Sequence, residues 1–324
     1  MTTAKVVAFG GGHGLSASLR ALRRCAPELD LDITAVVTVG DDGGSSGRLR
    51  AERGGLPPGD LRQALVALAG DHPSTRRSAG LFQHRFAEVP ASPVADGLAG
   101  HAVGNLVLHG LMELLGDPVA ALEHAGAMLG AVGRVLPMSC EPVGIEARVR
   151  GVDPDRPDEV RTVTGQHQVA VTTGRVESLR LTPAEPRACP EAVTAIGLAD
   201  WLIFGPGSWY TSVLPHLLVP ELAEAIISSP ARRLVTLNLA AEKETLGLSV
   251  ADHLAALRWY LPELKVDFVL ADSKAVGDPE PVERAAESLG ARLVLAPVAV
   301  TDGTPRHDPA ALGAALVPVL GADR

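Results

Sequence analysis

Six short apolar runs recur along the chain, most of them followed directly by Gly or Asp and then by a stretch with helical periodicity. Hydrophobicity within the runs is continuous rather than alternating, which is typical of strands that are covered on both faces. Helices between such strands imply a parallel sheet that is wound in both directions. The pattern therefore predicts an α/β fold with a doubly wound parallel sheet. The runs are residues 5–9, 33–39, 201–204, 233–239, 266–271 and 292–298.

Residues 134–185 show a different pattern. Within this segment apolar and polar residues alternate, as they do in antiparallel strands with one solvated face. We predict an inserted small β-rich subdomain over 134–185, carried by a core that is formed by 1–133 and 186–324. The alternating stretches are "GIEARVRG", "QHQVAVTT" and "RVESLRLTP".

Nine stretches with helical periodicity lie outside that segment. Capping residues support several of them: Asp60 and Ser249 precede helical stretches, and Gly70 and Gly290 follow them. The predicted helices cover residues 15–25, 59–70, 76–87, 103–115, 117–130, 219–228, 249–260, 279–289 and 308–319.

The charge of the chain disfavours a nucleic-acid partner. The formal net charge is −9, and the arginines are scattered rather than gathered in one basic run. Nucleic-acid binding needs a concentrated basic face that releases counterions from the phosphates. An acidic protein still binds a small phosphorylated ligand through backbone amides and one or two arginines.

Cysteine usage and hydropathy indicate the compartment. Cys25, Cys140 and Cys189 stand in no C-x-x-C spacing, which fits a reducing cytosol. The first residues lead directly into an apolar run and a glycine loop, and no apolar run approaches the ~18 residues of a membrane span. We therefore expect a cytoplasmic protein without a membrane span.

The first glycine-rich loop, "GGGHG", stands between an apolar run and a helical stretch. Gly12, Gly14 and Ala17 have the spacing of a dinucleotide-binding loop. Glycine lets the backbone approach a phosphate, and the amides and the positive end of the following helix then face the anion. We predict ligand contacts from Gly11, Gly12, His13 and Gly14. The alternative is a tight structural turn without a ligand.

An acidic loop follows the second apolar run. Asp41 and Asp42 stand where a dinucleotide-binding fold presents the acid that binds ribose, and Ser45 and Ser46 follow in a loop of small residues. Neighbouring residues of an extended segment point to opposite sides, so only one of the two acids needs to face the ligand. The other acid caps the loop, holds a metal through water, or pairs with an arginine such as Arg48. The alternative for both is an Asx turn with solvated carboxylates.

Two helix starts carry further candidates. Asp60, within "PPGDLRQAL", is explained either as a helix N-cap or as a group of the site. Arg62, in the first turn of the same predicted helix, is in reach of a phosphate or an acid of the site. Asn105, within "GHAVGNL", is either a cap or a group that recognises a base.

The stretch "WLIFGPGSWYTS" repeats the arrangement of the first loop. A buried strand ends in Gly205, Gly207 and Ser208, and a helical turn begins after them. Free amides and hydroxyls at such a turn form an anion site. The two glycine loops converge if their strands are neighbours at the topological switch point of the sheet, and that convergence favours a nucleotide ligand.

Several well-known motifs are missing from the sequence. There is no G-x-x-x-x-G-K-[ST] motif, which argues against a P-loop NTPase. The histidines form no H-E-x-x-H set, and Ser208 lacks the G-x-S-x-G spacing of a hydrolase nucleophile. We therefore predict no catalytic residue and no metal site.

In combination, these motifs resemble the gluconeogenesis factor (YvcK-like) family. This family belongs to the superfamily that includes the CofD-like 2-phospho-L-lactate transferase of deazaflavin cofactor biosynthesis. The resemblance covers nearly the whole chain, and the continuation after the acidic pair is more similar to the gluconeogenesis factor branch. It rests on "GGGHGL", "TVGDDGGSSGRLR", "PPGDLRQAL", "LFQHRF", "GHAVGNL" and "GPGSWYTSVLPHLLV".

The resemblance implies a Rossmann-like fold and a cytoplasmic protein that is needed for cell shape and cell-wall growth on gluconeogenic carbon sources. It implies binding of a UDP-sugar such as UDP-N-acetylglucosamine, with no required cofactor and with a protein partner in cell-wall regulation. We also expect a homo-oligomer. His13 replaces the threonine more usual in the family's loop. The "GTPRHDP" segment is similar to the family's Arg-His-Asp element, so Arg306 is a candidate for a contact to the diphosphate. The alternative is that this segment is only a helix start, which is capped by Asp308.

Three functions follow from these observations. The first is a regulatory nucleotide-sugar-binding protein that uses the two glycine loops. The second is a phosphotransferase like the sister branch, in which Asp41, Asp42 and Asp60 orient Mg²⁺ or an attacking hydroxyl. The third, an NAD(P)-dependent oxidoreductase, depends on the first glycine loop alone and ranks last.

Overall fold

The computed structural model describes residues 3–88, 96–240, 242–245 and 247–322. Seven strands form one sheet in the order β10-β9-β8-β7-β1-β2-β3, and every neighbouring pair in it is parallel. Its strands are β1 (Ala4–Gly10), β2 (Leu31–Val37), β3 (Arg134–Pro137), β7 (Trp201–Phe204), β8 (Arg232–Thr236), β9 (Phe268–Asp272) and β10 (Arg292–Ala296).

The predicted parallel α/β sheet is confirmed, because all six apolar runs form strands of it. The central strands are buried along almost their whole length. Phe9 of β1 and Phe204 of β7 stack with ring centroids 4.8 Å apart. The two strands that precede the glycine loops therefore pack against each other within the hydrophobic core.

The strand order places a switch point between β1 and β7. From β1 the chain runs outward through β2 to β3, and it later runs in the other direction from β7 through β8 and β9 to β10. Connections that leave in opposite directions open a crevice outside the carboxyl ends of two adjacent strands. The fold thus brings the loops after β1 and β7 to one place.

Helices flank the sheet, and all nine predicted helices are present. Their ends lie within about two residues of the predicted bounds, with two exceptions. The first helix begins earlier, at Gly12, inside the glycine loop, and the helix predicted over 76–87 instead spans Pro73–Gln83. The helices are α1 (Gly12–Cys25), α2 (Gly44–Arg53), α3 (Pro58–Leu68), α4 (Pro73–Gln83), α5 (Val103–Leu115), α6 (Pro118–Leu129), α7 (Gln166–Val171), α8 (Pro190–Gly197), α9 (Pro220–Ser228), α10 (Val250–Tyr260), α11 (Glu280–Ser288) and α12 (Pro309–Gly321).

A second sheet is antiparallel and has the strand order β5-β4-β6. Its strands are β4 (Gly144–Arg150), β5 (Val160–Thr164) and β6 (Arg175–Thr182). All three strands lie within residues 134–185. The first residues of that segment form β3, however, which pairs with β2 and belongs to the parallel sheet rather than to the small antiparallel one.

The prediction that "QHQVAVTT" is a strand is wrong, because this stretch forms α7. Only Gln166 and Val169 of the helix are buried, a spacing of three residues that suits one helical face. The backbone N–H of His167 donates to the Asp42 carboxylate over 2.8 Å, which caps the first turn. A long-range contact with the acidic loop therefore stabilises the helical conformation of this stretch.

The sequence predicts a loop for the Gly/Ser stretch after the acidic pair, and this prediction is also wrong. The stretch begins α2, with Gly43 before the first turn and Leu49 as its buried apolar residue. A β-carbon at Gly47 would overlap the carbonyl oxygen of Asp42. Close packing of the backbone therefore explains this glycine. Within the described part of the chain, no helix has the length and hydropathy needed to cross a membrane.

Candidate functional site

A cavity of about 940 Å³ opens at the carboxyl ends of β1, β7 and β8. It matches the upper range of small-molecule sites, about 300–1,000 Å³. The predicted site residues Gly11, Gly12, His13, Gly14, Gly207, Ser208 and Arg306 line it. They are joined there by Ser16, Ala17, Arg20, Arg62, Gln63, Gln83, Arg85, Pro206, Ser212, Asn238, Leu239, Ala240, Glu242, Val300, Pro305, His307 and Pro309.

The first glycine loop forms the start of α1. Gly11 precedes the helix, and Gly12, at φ +54°, is its first residue. The first amides of a helix have no partner within it, so they can donate to an anion. A β-carbon at Gly11 would lie 2.5 Å from both Oδ2 of Asp60 and Cγ2 of Thr38. The loop therefore packs directly on the residues beneath it and leaves no room for a side chain.

The second glycine loop is fixed by two neighbouring side chains. Asn238 accepts a hydrogen bond from the N–H of Gly207 over 2.9 Å and donates to the carbonyl of the same residue over 2.8 Å. The Ser208 hydroxyl donates to the carboxylate of Glu242. Gly205, at φ +73°, makes the turn out of β7 without lining the cavity itself.

The two glycine loops touch. A β-carbon at Gly14 would overlap the carbonyl oxygen of Pro206. The predicted convergence of the two loops therefore occurs at the β1/β7 switch point, and their amides border one cavity.

Asp60 lies under the first loop and is not a helix N-cap, because α3 already begins at Pro58. Its carboxylate accepts the backbone N–H of Gly12, and the residue is buried. Burial and the neighbouring Asp41 raise the pKa of Asp60 to about 7. Asp60 thus supports the glycine loop from behind and is not among the residues that line the cavity.

The two acids after β2 point in different directions. Oδ1 of Asp41 accepts the backbone N–H of Gly43 over 3.0 Å, as in an Asx turn. Its other carboxylate oxygen lies beside Gly59, where Ser46 also packs. Asp42 instead turns to α7, where it caps the helix. Neither acid lines the cavity.

A buried polar chain leads away from the cavity. Nε of Arg62 donates to Oδ1 of Asn105 over 2.7 Å, and Nδ2 of Asn105 donates to Oγ of Ser45 over 3.0 Å. Ser45 in turn bonds Nδ1 of His101 over 2.9 Å. Arg62 lines the cavity, whereas Asn105 and Ser45 lie behind it.

Arg306 enters the cavity wall from the segment after β10. It pairs with Asp302 over 2.8 Å and remains 68% exposed. Two residues further on, Asp308 accepts the first amides of α12 and so caps that helix, as the sequence suggests. The segment therefore serves both as a cap and as part of the cavity wall. Burial lowers the pKa of the adjacent His307, which favours its neutral form.

The cavity wall is cationic. It holds the arginines Arg20, Arg62, Arg85 and Arg306, and among the described residues that line it Glu242 is the one carboxylate. Such a wall suits a ligand with more than one negative charge. The residue ranges that the structure describes contain no group of three or more His, Cys, Asp or Glu side chains arranged to hold a metal ion.

Sequence reasoning missed several residues of the wall. Arg20 faces the cavity from α1, two turns after the glycine loop, a spacing that helical periodicity could have shown. Arg85, Asn238 and Glu242 lie in loops and carry no local motif. Only the fold brings them to the site.

Comparisons with known proteins agree with this architecture. The family model described as 2-phospho-L-lactate transferase CofD matches residues 6–295. A Mycobacterium tuberculosis protein that carries the gluconeogenesis factor name provisionally is 49% identical over 322 residues, which are 98% of this chain and 91% of that protein. The Bacillus subtilis gluconeogenesis factor is 38% identical over 291 residues, 90% of this chain and 84% of the relative.

A solved structure shows the same fold. The crystal structure of a UPF0052 family member from Bacillus halodurans has a TM-score of 0.84 to this chain at 34% sequence identity. The match covers 98% of this chain and 100% of the crystallised one. From the family match, the relatives and the shared fold, it follows that this chain belongs to the gluconeogenesis factor family, within the wider group that the CofD family model describes.

Proposed function

We propose that this protein is a cytoplasmic regulator that binds a nucleotide-sugar of the UDP-N-acetylglucosamine type and is needed for cell shape and cell-wall growth on gluconeogenic carbon sources. The observation that carries the proposal is the contact between the two glycine loops at the β1/β7 switch point, beside a cavity with four arginines. Nucleotides bind in open α/β sheets at such switch points.

In this proposal the diphosphate of the ligand lies against the two loops. The first amides of α1 and the Gly207–Ser208 segment supply donors, and Arg306 adds a charged hydrogen bond. Glu242 and Ser212 border the same space and offer acceptors for sugar or ribose hydroxyls. The cavity is also large enough for a nucleotide with an attached sugar, given its volume of about 940 Å³.

The regulator acts through a protein partner in cell-wall regulation and assembles as a homo-oligomer. Binding requires no cofactor. Light scattering of the purified protein tests the assembly, with a monomer at all concentrations as the contrary result.

A phosphotransferase is the second candidate, because the CofD family model matches most of the chain and because Asp60 and Asp41 form a close acidic pair under the first loop. In this case the pair would orient Mg²⁺ or an attacking hydroxyl. An oxidoreductase has no observation beyond the glycine loop in its favour.

Product analysis separates the two candidates. Purified protein is incubated overnight with UDP-N-acetylglucosamine, with and without Mg²⁺, and the nucleotide is then recovered for mass spectrometry. The regulator returns the ligand unchanged. A second incubation contains a deazaflavin acceptor, an activated nucleotide donor and a divalent metal. Formation of a phosphodiester on the acceptor hydroxyl, with release of the nucleoside monophosphate from the donor, would instead establish the transferase.

A further inference from the structure

We infer that Arg62 and Arg85 together form an anion-binding site of this cavity that takes a phosphate group, and that Asn105 and Gln83 are the positioning residues of Arg62. The inference deepens the proposed function, on which it rests, by naming the side chains that neutralise the ligand. It concerns two cations that are separate in sequence from the glycine loops and from Arg306.

Arg62 is a buried cation whose hydrogen-bond partners among the described residues are neutral. Its side chain is 3% exposed. Nε donates to Oδ1 of Asn105 over 2.7 Å, and Nη1 donates to Oε1 of Gln83. A guanidinium has five N–H donors, so these two bonds fix its plane and leave donors for a ligand. Since Arg62 lines the cavity, the ligand can reach it.

A second cation lies beside the first. Arg85 also lines the cavity, and its Nη1 donates to the carbonyl of Gly100 over 2.8 Å. Burial, and then the charge of Arg85, lower the pKa of Arg62 to about 10. Two positive groups therefore act on each other at the wall of one cavity.

No carboxylate in the described residues forms an ion pair with either arginine within 4.0 Å. Asp60 and Asp41 are near enough to favour the charged form of Arg62, but neither carboxylate pairs with it directly. The two arginines therefore border the cavity without an ion-pair partner among the described residues.

The unpaired charge of Arg62 is costly, because a buried ion is stable only when it is paired or well hydrogen-bonded. Arg85 is exposed, so solvent screens its own charge, but it still adds positive charge at the same wall. A phosphate dianion removes the repulsion between two guanidiniums and accepts bidentate hydrogen bonds from each. Neutral positioning groups, in place of carboxylates, leave the full charge of Arg62 available to the ligand.

The orientation of Asn105 supports its positioning role. Its Nδ2 donates to Ser45 over 3.0 Å, so its carbonyl oxygen faces Arg62. Asn105→Asp keeps the shape and the acceptor but adds a negative charge next to Nε of Arg62. This substitution therefore changes the charge next to Arg62 while the packing around it stays nearly the same.

The test is isothermal titration of the full chain with inorganic pyrophosphate at fixed ionic strength. Arg62→Gln should weaken binding at least ten-fold and Arg85→Gln at least three-fold. Arg77→Gln is the control, because Arg77 is exposed on the neighbouring helix α4 and is not part of the cavity wall. Its affinity should stay within two-fold of the wild type.

Asn105→Asp gives the decisive readout. The new carboxylate pairs with Arg62, so pyrophosphate affinity should fall at least five-fold while Tm stays the same or rises. If Asn105 had a purely structural role, pyrophosphate affinity would fall only in parallel with a fall in Tm. If Arg62→Gln does not fold, Arg85→Gln and Asn105→Asp still decide the question.

The inference and the proposed function fail in different ways. Absence of pyrophosphate binding to the wild type, or equal affinities of the wild type, Arg85→Gln and Asn105→Asp, would overturn the inference. Pyrophosphate binding that depends on both arginines, without any binding of UDP-N-acetylglucosamine, would uphold the anion site and overturn the proposed ligand.

Discussion

A β-carbon on Gly14 would lie 2.5 Å from the Cα of Gly207, so the two glycine loops meet with no space for a methyl group between them. Gly14→Ala should therefore push the loops apart. Overpacking of this kind costs about 1–3 kcal/mol. We expect a matching loss in the free energy of unfolding and at least a ten-fold loss of affinity for UDP-N-acetylglucosamine, measured by urea denaturation and calorimetry.

Gly110→Ala is the matched control for this change. Gly110 lies within α5 and is exposed, and a β-carbon there would meet no neighbouring side chain or loop within 4 Å. Alanine favours a helix interior by about 0.5–1 kcal/mol over glycine, so this variant should be slightly more stable and bind normally. Normal ligand affinity in Gly14→Ala would show that the contact between the loops does not shape the site.

Arg306→Ala tests the contact to the diphosphate. A charged hydrogen bond contributes about 1.5–3 kcal/mol, so nucleotide affinity should fall by that amount while stability changes little. Arg284→Ala is the control, because Arg284 is similarly exposed and pairs with Glu280 in the same i,i+4 arrangement away from the cavity. If both variants bind like the wild type, Arg306 only supports the segment before α12.

Asp60→Asn should change how stability depends on pH. The folded chain raises the pKa of Asp60 from 3.8 to about 7, so protonation stabilises the fold. This stabilisation is complete below pH 3.8 and is lost as the pH rises through about 7. Asparagine cannot ionise, yet it still accepts the Gly12 amide.

The stability of Asp60→Asn relative to the wild type should therefore increase with pH. The slope between about pH 4 and 7 is at most about 1.4 kcal/mol per pH unit, and the difference levels off above about pH 7. Urea denaturation of both proteins at several pH values measures it. Parallel stability curves for the two proteins would mean that Asp60 ionises as an exposed acid does.

Asp42→Ala should affect folding and not binding. Its carboxylate caps α7, and loss of a cap costs about 0.5–2 kcal/mol. Asp117→Ala is the matched control, since Asp117 caps α6 through the N–H of Val119 over 2.8 Å. Both variants should lose stability and keep ligand affinity within two-fold. A selective loss of affinity in Asp42→Ala would return this acid to the ligand site that its sequence position suggests.

The parallel sheet was predictable because its signal is local. Continuous apolar runs mark strands that are covered on both faces, and the runs at residues 5–9 and 201–204 follow that rule, because they form the buried strands β1 and β7. Strand β3 was missed because "RVLP" is only four residues long and adjoins a segment of alternating polarity. Such a short strand is defined by its pairing with β2 rather than by its own residues.

Helices α2 and α7 show what local patterns could not supply. The Gly/Ser start of α2 has low helix propensity, and its conformation depends on close packing at Gly47. The cap of α7 comes from Asp42, which is 125 residues away from its partner His167 along the chain. The contact that stabilises α7 is long-range, whereas the one in α2 is a close approach between residues five apart, and neither leaves a signal in hydrophobic periodicity.

The site was predictable where its residues stand in a local motif. The two glycine loops were found from their spacing, and the fold brings them together as the switch-point argument requires. The binding role of each residue stays a prediction. Arg85, Asn238 and Glu242 could not be found, because their positions depend on the tertiary course of two separate loops, one between α4 and α5 and one after β8.

Calorimetric titration with UDP-N-acetylglucosamine, GDP and NAD, each with and without Mg²⁺, tests the central claim most directly. We predict selective binding of the UDP-sugar that is independent of the metal, because backbone amides and arginines, rather than a cation, neutralise the diphosphate. Preference for GDP in the presence of Mg²⁺, with no affinity for the UDP-sugar, would contradict the regulator and favour the phosphotransferase.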